Sequence, residues 1–594
     1  CMSEKKLTEN KEASTRPISI YLLARIFLTI GKYFYTILFA NFLLFICLFA
    51  DQEINVEIGK ILDRTDLKTA SFFGIVGYLG LLCLLNRIFG SMQFLITILT
   101  TNQITANLRK VFFDRLTVLS KRFYDNHKIG WLVARSTGDM GSIWDFSTFA
   151  LMSIMLCLGS ISISFYNIGN IKPILLLPCL GIIPFTFIAT LLFRKKMTEN
   201  QRELREANSK MIGYISECIR GIRVTQAFSR EQLNHKIFGD HNQKNYNLGI
   251  QASRINGLYL PTIELIGVMG LVSAMIFGVY LIESTLTNGG SSAISPGDLA
   301  AYLLFINVIL FPVRILVELY SMSISAMASA ERIYEIIDLE EDVKNPKISQ
   351  PVDLNSVHIE FQNVSFRYKE DSADILKNFN LTIRNNETIA LVGETGSGKT
   401  TIATLLARFY DVSDGEISIN GINIKNYNQD ELHSNMGIVL QEGYLFSGSI
   451  LENLKFRNPQ LRDDAVYDFC KKLGIHDMVA SLPNSYQTLV GEGGHAVSHG
   501  QRQLISLTRA LITNPKLMIF DEATSSIDVL TESILTKAIE KISKSTTTII
   551  IAHRLSTVKN ADRILVIGNG GILEEGKYNE LVAKNGHFAK LVIH

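Results

Sequence analysis

Residues Pro173 to Phe193 run for twenty-one positions without a charged side chain and stop at Arg194-Lys195-Lys196. Lipid offers no partner to a backbone amide, so a segment this apolar must close its hydrogen bonds within itself, as a helix. About 20 helical residues match a hydrocarbon core roughly 30 Å thick. Five further stretches of this kind lie near 31–50, 71–99, 143–166, 257–282 and 299–325. The spacing therefore predicts a polytopic α-helical membrane domain with six transmembrane helices over residues 31–330. Residues 1–30 read as a cytoplasmic N-terminus leading into an interfacial helix at 18–30. The stretch up to Thr15 is polar and charged, unlike a cleavable signal peptide.

Loop charge sets the orientation. Residues 101–142 carry seven Lys/Arg and residues 194–256 carry twelve, whereas 167–172 carry one and 283–298 none. Basic loops stay in the cytoplasm. Both termini are then expected inside, with two long cytoplasmic excursions built as helices that continue past the bilayer. The segment 51–70 is expected to be an external loop of mixed charge. The apolar excess is concentrated before residue 330 and gives a mean hydropathy of +0.20. A formal net charge of +2 supplies no basic field for nucleic acid. The seven cysteines include no C-x-x-C pair, so neither a disulfide framework nor a zinc site is expected.

The character changes after residue 330. Residues 331–356 read as a linker containing Pro346 and Pro351, and residues 357–594 alternate short β-rich runs with helical ones, the pattern of an α/β domain. Within it, Gly393-Glu394-Thr395-Gly396-Ser397-Gly398-Lys399-Thr400 follows the apolar run Thr388–Val392 and opens a helical run beginning Thr401-Ile402. Glycines at this spacing let several backbone N–H groups converge on a nucleotide's phosphates. The lysine offsets their charge, and the Thr400 hydroxyl is placed to hold Mg²⁺. The helix start adds its dipole. A second apolar run, Leu517–Phe520, ends in Asp521-Glu522. Asp521 is placed to bind the Mg²⁺ shell and Glu522 to polarise an attacking water as general base. ATP and Mg²⁺ are the cofactors this chemistry calls for.

With these motifs in place, the C-terminal domain resembles the nucleotide-binding domain of an ABC transporter, and nearly the whole chain resembles a half-size ABC exporter. The resemblance implies further site residues. Tyr368, 25 positions before Gly393, corresponds to the aromatic that stacks on adenine. Thr401 closes the phosphate loop. Gln441 corresponds to a Mg²⁺-sensing glutamine, Asp528 to the segment that crosses between paired domains, and His553 to the histidine contacting the γ-phosphate. The helix that takes the partner's ATP normally opens L-S-G-G-Q; here it reads Val497-Ser498-His499-Gly500-Gln501. Ser498, Gly500 and Gln501 match, but His499 puts an imidazole where bare backbone is usual. Family members pair, so the resemblance implies a second half-transporter. The altered signature beside an intact Glu522 favours a heterodimer, with a homodimer as the alternative.

Phe123-Tyr124-Asp125, Gly130, Arg135 and Asp139 resemble the first cytoplasmic loop of such exporters. Glu217, Gly221, Val224, Ala227-Phe228 and Glu231 resemble the second. Thr488–Glu492 resembles a segment specific to exporters. Polar residues at membrane depth (Asn41, Asn86, Arg87, Glu264, Asn307 and Arg314) are expected to face a cavity, one another or an interface. The expected function is ATP-driven export of a small hydrophobic, lipid or peptide substrate through the bilayer of a bacterial plasma membrane. A lipid flippase and an ATP-gated channel or regulator remain as alternatives.

Overall fold

The computed structural model describes residues 25, 31–63, 69–287, 294–354, 356–370, 372–440, 443–521, 529–552 and 558–593. They form two compact units, residues 1–117 with 130–339, and residues 118–129 with 340–594. The interfacial segment 18–30 lies outside the described residues apart from Arg25.

The first unit is all helix. Its long helices are Phe34–Asp63, Thr69–Val118, Met140–Ile171, Leu176–Arg220, Glu231–Thr287 and Pro296–Ile337. Each expected span corresponds to one of them, two of the spans beginning with a separate short turn, Gly31–Tyr33 and Pro173–Leu175. Five are long and apolar enough to cross a membrane among the described residues, and the sixth opens with the shorter apolar stretch Pro296–Ile309. At 1.5 Å per residue, the 50-residue second helix reaches about 75 Å. That is far beyond a bilayer, as the predicted cytoplasmic extensions require.

The segment 51–70 departs from the expected loop. The first helix continues to Asp63, and residues 64–68 lie outside the described residues. Charged side chains do not stop a helix when they sit on its exposed faces. Lys60 donates to Glu57 at 2.7 Å one turn away, while buried Gln52 donates to Ser164 of the third helix at 3.2 Å. Asp63 then accepts the Gly297 amide at 2.7 Å, at the start of the sixth helix. The two helices meet through small residues: a Cβ on Gly59 would lie 2.7 Å from the Gly297 carbonyl oxygen. Such close backbone approach is the usual way helices associate in lipid.

Asp139 anchors the other end of the bundle. It closes a single π-helical turn, Arg135–Asp139, and its carboxylate accepts from Arg135 at 2.8 Å, Arg332 Nε at 3.0 Å and Ser329 at 3.0 Å. A buried carboxylate with two guanidinium partners is compensated, so this cluster ties the third helix to the sixth. Of the polar residues at membrane depth, Asn86 donates to the Cys47 carbonyl at 3.1 Å, joining the first two helices. Asn41 and Asn307 bond one turn back within their own helices, at 3.0 and 3.3 Å. The Arg314 side chain lies outside the described residues.

The second unit holds two sheets. The antiparallel one comprises β1 (Ile359–Phe366), β2 (Leu376–Ile383), β4 (Asp414–Ile419) and β5 (Ile422–Asn423), in the order β2-β1-β4-β5. The larger one comprises β3 (Thr388–Val392), β6 (Met436–Val439), β7 (Leu517–Asp521), β8 (Thr547–Ile551), β9 (Arg563–Gly568) and β10 (Gly571–Gly576), in the order β10-β9-β3-β8-β7-β6. All its pairings are parallel except β10 with β9. β3 and β8 are buried at every position, which explains why they read as continuous apolar runs rather than alternating ones. One core, around Phe361, Phe379, Leu391 and Leu406, fills the space between the sheets. A second, around Leu454, Cys470, Leu504 and Phe520, covers the opposite face of the large sheet with helices.

Candidate nucleotide-binding site

In an open parallel sheet, the groups that bind ligand gather beyond the carboxyl ends of the strands. Here β3 ends at Val392 and β7 at Asp521, with β8 between them. The register Asp521↔Ile551 and Leu391↔Ile551 brings two motifs more than 120 residues apart to one edge. The Thr400 hydroxyl lies 3.4 Å from Asp521 Oδ1.

The loop's glycines are dictated by its path. Gly393, Gly396 and Gly398 have φ of 151°, 85° and 104°. A Cβ on Gly393 would sit 2.3 Å from the Ile567 carbonyl oxygen. Gly398, in the left-handed region, leads into the helix Lys399–Leu406, which has no side-chain cap. No side chain caps its first amides, the groups that helix starts offer to an anion. Lys399 folds back over the loop and donates to the carbonyls of Gly393 and Glu394 at 2.9 and 2.8 Å. Ser397 Oγ is buried and finds no acceptor or donor among the described residues. An uncapped helix start, a folded-back lysine and an orphaned hydroxyl together fit a polyphosphate. Thr400 beside Asp521 fits a divalent cation held in its shadow.

Tyr368 follows β1 and is half-buried. Its hydroxyl lies 3.2 Å from the Thr401 hydroxyl, and its ring packs edge-on against Phe366 at 5.0 Å and Tyr410 at 5.2 Å. The aromatic is thus brought to the phosphate loop from the other sheet. Gln441, Glu522, Asp528 and His553 lie outside the described residues. The strands that precede Gln441, Glu522 and His553 in the chain (β6, β7 and β8) are adjacent and parallel.

The signature segment folds differently. Ser498 precedes the helix His499–Leu511 and accepts from the Gln501 amide at 3.2 Å, while Gln501 Oε1 accepts from the Ser498 amide at 2.9 Å. This reciprocal box satisfies the helix start internally. Gly500 is buried and His499 half-buried, and His499 Nδ1 has no partner among the described residues.

Two features escape the sequence patterns. The short helix Lys121–Asn126 of the first cytoplasmic loop packs with the second unit, where the Tyr410 hydroxyl donates to Asp125 Oδ2. Burial, reinforced by that carboxylate, pushes the Tyr410 phenol well above its ordinary value, so the hydroxyl keeps its proton. Arg408 is fully buried at φ 52° and donates to the carbonyls of Tyr427 and Lys344, both at 2.9 Å. Only the aromatic-rich run Arg408-Phe409-Tyr410 hinted at either.

A membrane-helical unit followed by an α/β domain with this phosphate loop defines a membrane transport ATPase. The chain belongs to the ABC transporter family, as a half-size exporter: residues 7–313 match the ABC transporter transmembrane region and residues 376–525 match the ABC transporter domain. An uncharacterized ABC transporter ATP-binding protein of Bacillus subtilis is 35% identical over 487 residues, 82% of this chain and 79% of its own length. A provisionally named multidrug export ATP-binding/permease protein of Staphylococcus aureus is 35% identical over 492 residues, 83% of this chain and 84% of its own. The fold is that of a bacterial Atm1-family ABC exporter solved with ATP bound. The TM-score is 0.78 at 23% identity, covering 97% of this chain and 99% of that one. This chain is accordingly a membrane protein that binds ATP, couples its hydrolysis to export and works as a dimer.

Proposed function

We propose that this chain is one subunit of a heterodimeric exporter that moves small hydrophobic or amphipathic compounds out through a bacterial plasma membrane. The observation that carries the pairing is the unequal quality of two helix starts: an open phosphate loop with Thr400 set against Asp521, and a signature bearing His499. In this reading Tyr368 stacks on adenine, residues Gly393–Thr401 hold the phosphates, and Mg²⁺ sits on Thr400, Asp521 and Gln441. Glu522 activates water, His553 contacts the γ-phosphate and Asp528 crosses to the partner. Ser498, His499, Gly500 and Gln501 face the partner's nucleotide. This chain then supplies the competent half of one site and a weakened signature to the other.

A second chain is also favoured by the second cytoplasmic loop. Its short helix Ile222–Ala227 buries no residue, and Val224 and Phe228 are 62% and 73% exposed. The multidrug names of the staphylococcal relatives support a broad apolar substrate class. The basic cytoplasmic loops support termini on the inside. The domain limits implied are a membrane region over 31–330, a linker over 331–356 and the ATPase domain over 357–594.

The pairing is tested by purifying the chain alone in lipid nanodiscs and measuring ATP turnover. Negligible turnover that appears on co-reconstitution with a half-transporter bearing an intact L-S-G-G-Q supports it. A highly active homodimer defeats it.

A further inference from the structure

The short helix Lys121–Asn126 meets residues of the second unit through several contacts, two of which lead to Tyr410. Phe123 is buried and stacks on His127 at 4.4 Å. Lys121 and Arg122 lie over the Phe409 and Tyr410 rings, each at 5.9 Å. Asp125 accepts the Tyr410 hydroxyl, and Ser120 donates to Asp342 at 2.7 Å. Tyr410 is itself 2% exposed. It stands four residues beyond the helix that the phosphate loop opens. Two residues before it, the Arg408 guanidinium donates to the carbonyls of Tyr427 and Lys344. The Tyr410 ring meets Tyr368 edge to face at 5.2 Å and 82°. Tyr410 therefore touches the Tyr368 ring with its own ring and the short helix of the first cytoplasmic loop with its hydroxyl.

We propose that Tyr410 is a positioning residue that reports occupancy of the nucleotide's base to the first cytoplasmic loop: stacking of adenine on Tyr368 fixes the Tyr410 ring, and the Tyr410 hydroxyl carries that ordering to Asp125. This rests on Tyr368 being the adenine platform. The two roles sit on different atoms of one side chain, so they separate chemically. Tyr410→Phe keeps the ring edge against Tyr368 and removes the link to Asp125. Asp125→Ala removes the same link from the other side, on a helix whose Asp125 is otherwise solvent-facing.

The chain carries its own reporter. Its two tryptophans are Trp131 and Trp144, and Trp131 lies five residues after the short helix ends. The experiment uses the full transporter in nanodiscs, titrated with ATP in EDTA to prevent turnover. Nucleotide Kd is read by displacement of a fluorescent ATP analogue, and the loop's response is read as the Trp131 emission change, defined by the difference from a Trp131→Phe control. Tyr410→Phe and Asp125→Ala should leave Kd within about twofold of the parent and reduce the Trp131 response about fivefold or more. The double variant should lose no more than either single one, because both delete one bond. Substrate-free ATPase should keep its KM in Tyr410→Phe. A full Trp131 response in Tyr410→Phe, additive losses in the double variant, or no ATP-dependent Trp131 change in the parent would overturn the proposal. Tyr368→Leu separates the two readings. If it leaves Kd unchanged, the adenine platform fails, whereas the effect of Tyr410→Phe on Trp131 tests the link to Asp125 on its own.

Discussion

Two helices begin at the edges of this ATPase domain, and they begin in opposite ways. The helix Lys399–Leu406 starts from a left-handed glycine with no side-chain cap, so no side chain takes the place at its first amides that a phosphate would fill. The helix His499–Leu511 starts from a serine and glutamine that satisfy each other's backbone. The first is a helix start shaped to take an anion. The second is a finished helix that must present already bonded groups to a phosphate held elsewhere. The difference teaches that a phosphate loop is built by leaving hydrogen bonds unmade, whereas a signature is built by orienting a stable helix end. A change of residue therefore matters differently at the two places. At the loop it deletes a contact; at the signature it alters what the helix end shows to its partner.

The largest expected effect sharpens which end belongs to the working site. Glu522→Gln should reduce ATP turnover about a hundredfold or more, with ATP affinity retained, because it removes the base and leaves the phosphate cradle. Parallel turnover and nucleotide-binding measurements on the purified dimer decide it; retention of most of the parental turnover would falsify the assignment. Next, Lys399→Ala should weaken ATP affinity itself by about tenfold or more, since the open loop loses the cation that offsets phosphate charge. An unchanged affinity in a titration would mean that the loop's backbone alone suffices.

The signature should respond less. Ser498→Ala removes a cap and should destabilise its helix by about 1 kcal/mol, read as a lowered melting midpoint of the detergent-purified transporter. The matching change at the loop, Gly398→Ala, acts through strain at φ 104° instead, so equal responses would break the comparison. His499→Gly tests the face rather than the cap. In a heterodimer it should change turnover by less than about twofold. In a homodimer, where every phosphate meets His499, it should raise turnover several-fold, roughly 1 kcal/mol of barrier.

The smallest effect concerns the far end of the loop helix. His433 Nε2 lies 2.7 Å from the Ala407 carbonyl, where that helix stops. Burial holds the His433 imidazole below its ordinary value, against the raising effect of that hydrogen bond. The unfolded chain therefore takes up the proton first. The stability contributed by His433 is fully present above about pH 6.5, begins to decline as pH falls below that value, and is lost as pH falls through the lower value of the folded state. Thermal melts between pH 7.5 and 5.5 should show a steeper acid decline for the parent than for His433→Gln, which keeps a donor but cannot titrate.

Much of this was legible in the residues. The apolar runs located the six long helices of the first unit, five of them long and apolar enough to cross a membrane among the described residues, because lipid allows only one backbone solution. The phosphate loop was legible because glycine at 393, 396 and 398 is a demand of backbone geometry rather than of taste. The extension of the first helix to Asp63 was missed, because charged residues at helical spacing look like a loop until their exposed face is known. Arg408 was invisible for the converse reason: an arginine reads as surface unless the carbonyls that bury it are in view.

The sequence by itself determined the membrane spans, the strand–loop–helix that cradles phosphate and the departure at His499, since each depends on neighbours within a few residues. Only the tertiary structure decided that β8 separates the strands bearing the phosphate loop and Asp521, that Ser498 and Gln501 close on each other, and that Asp125 meets Tyr410 across 285 residues of chain. Those pairings depend on sheet order, helix-end geometry and burial. Local patterns carry none of these, because the free energy that selects them is shared among residues far apart in sequence.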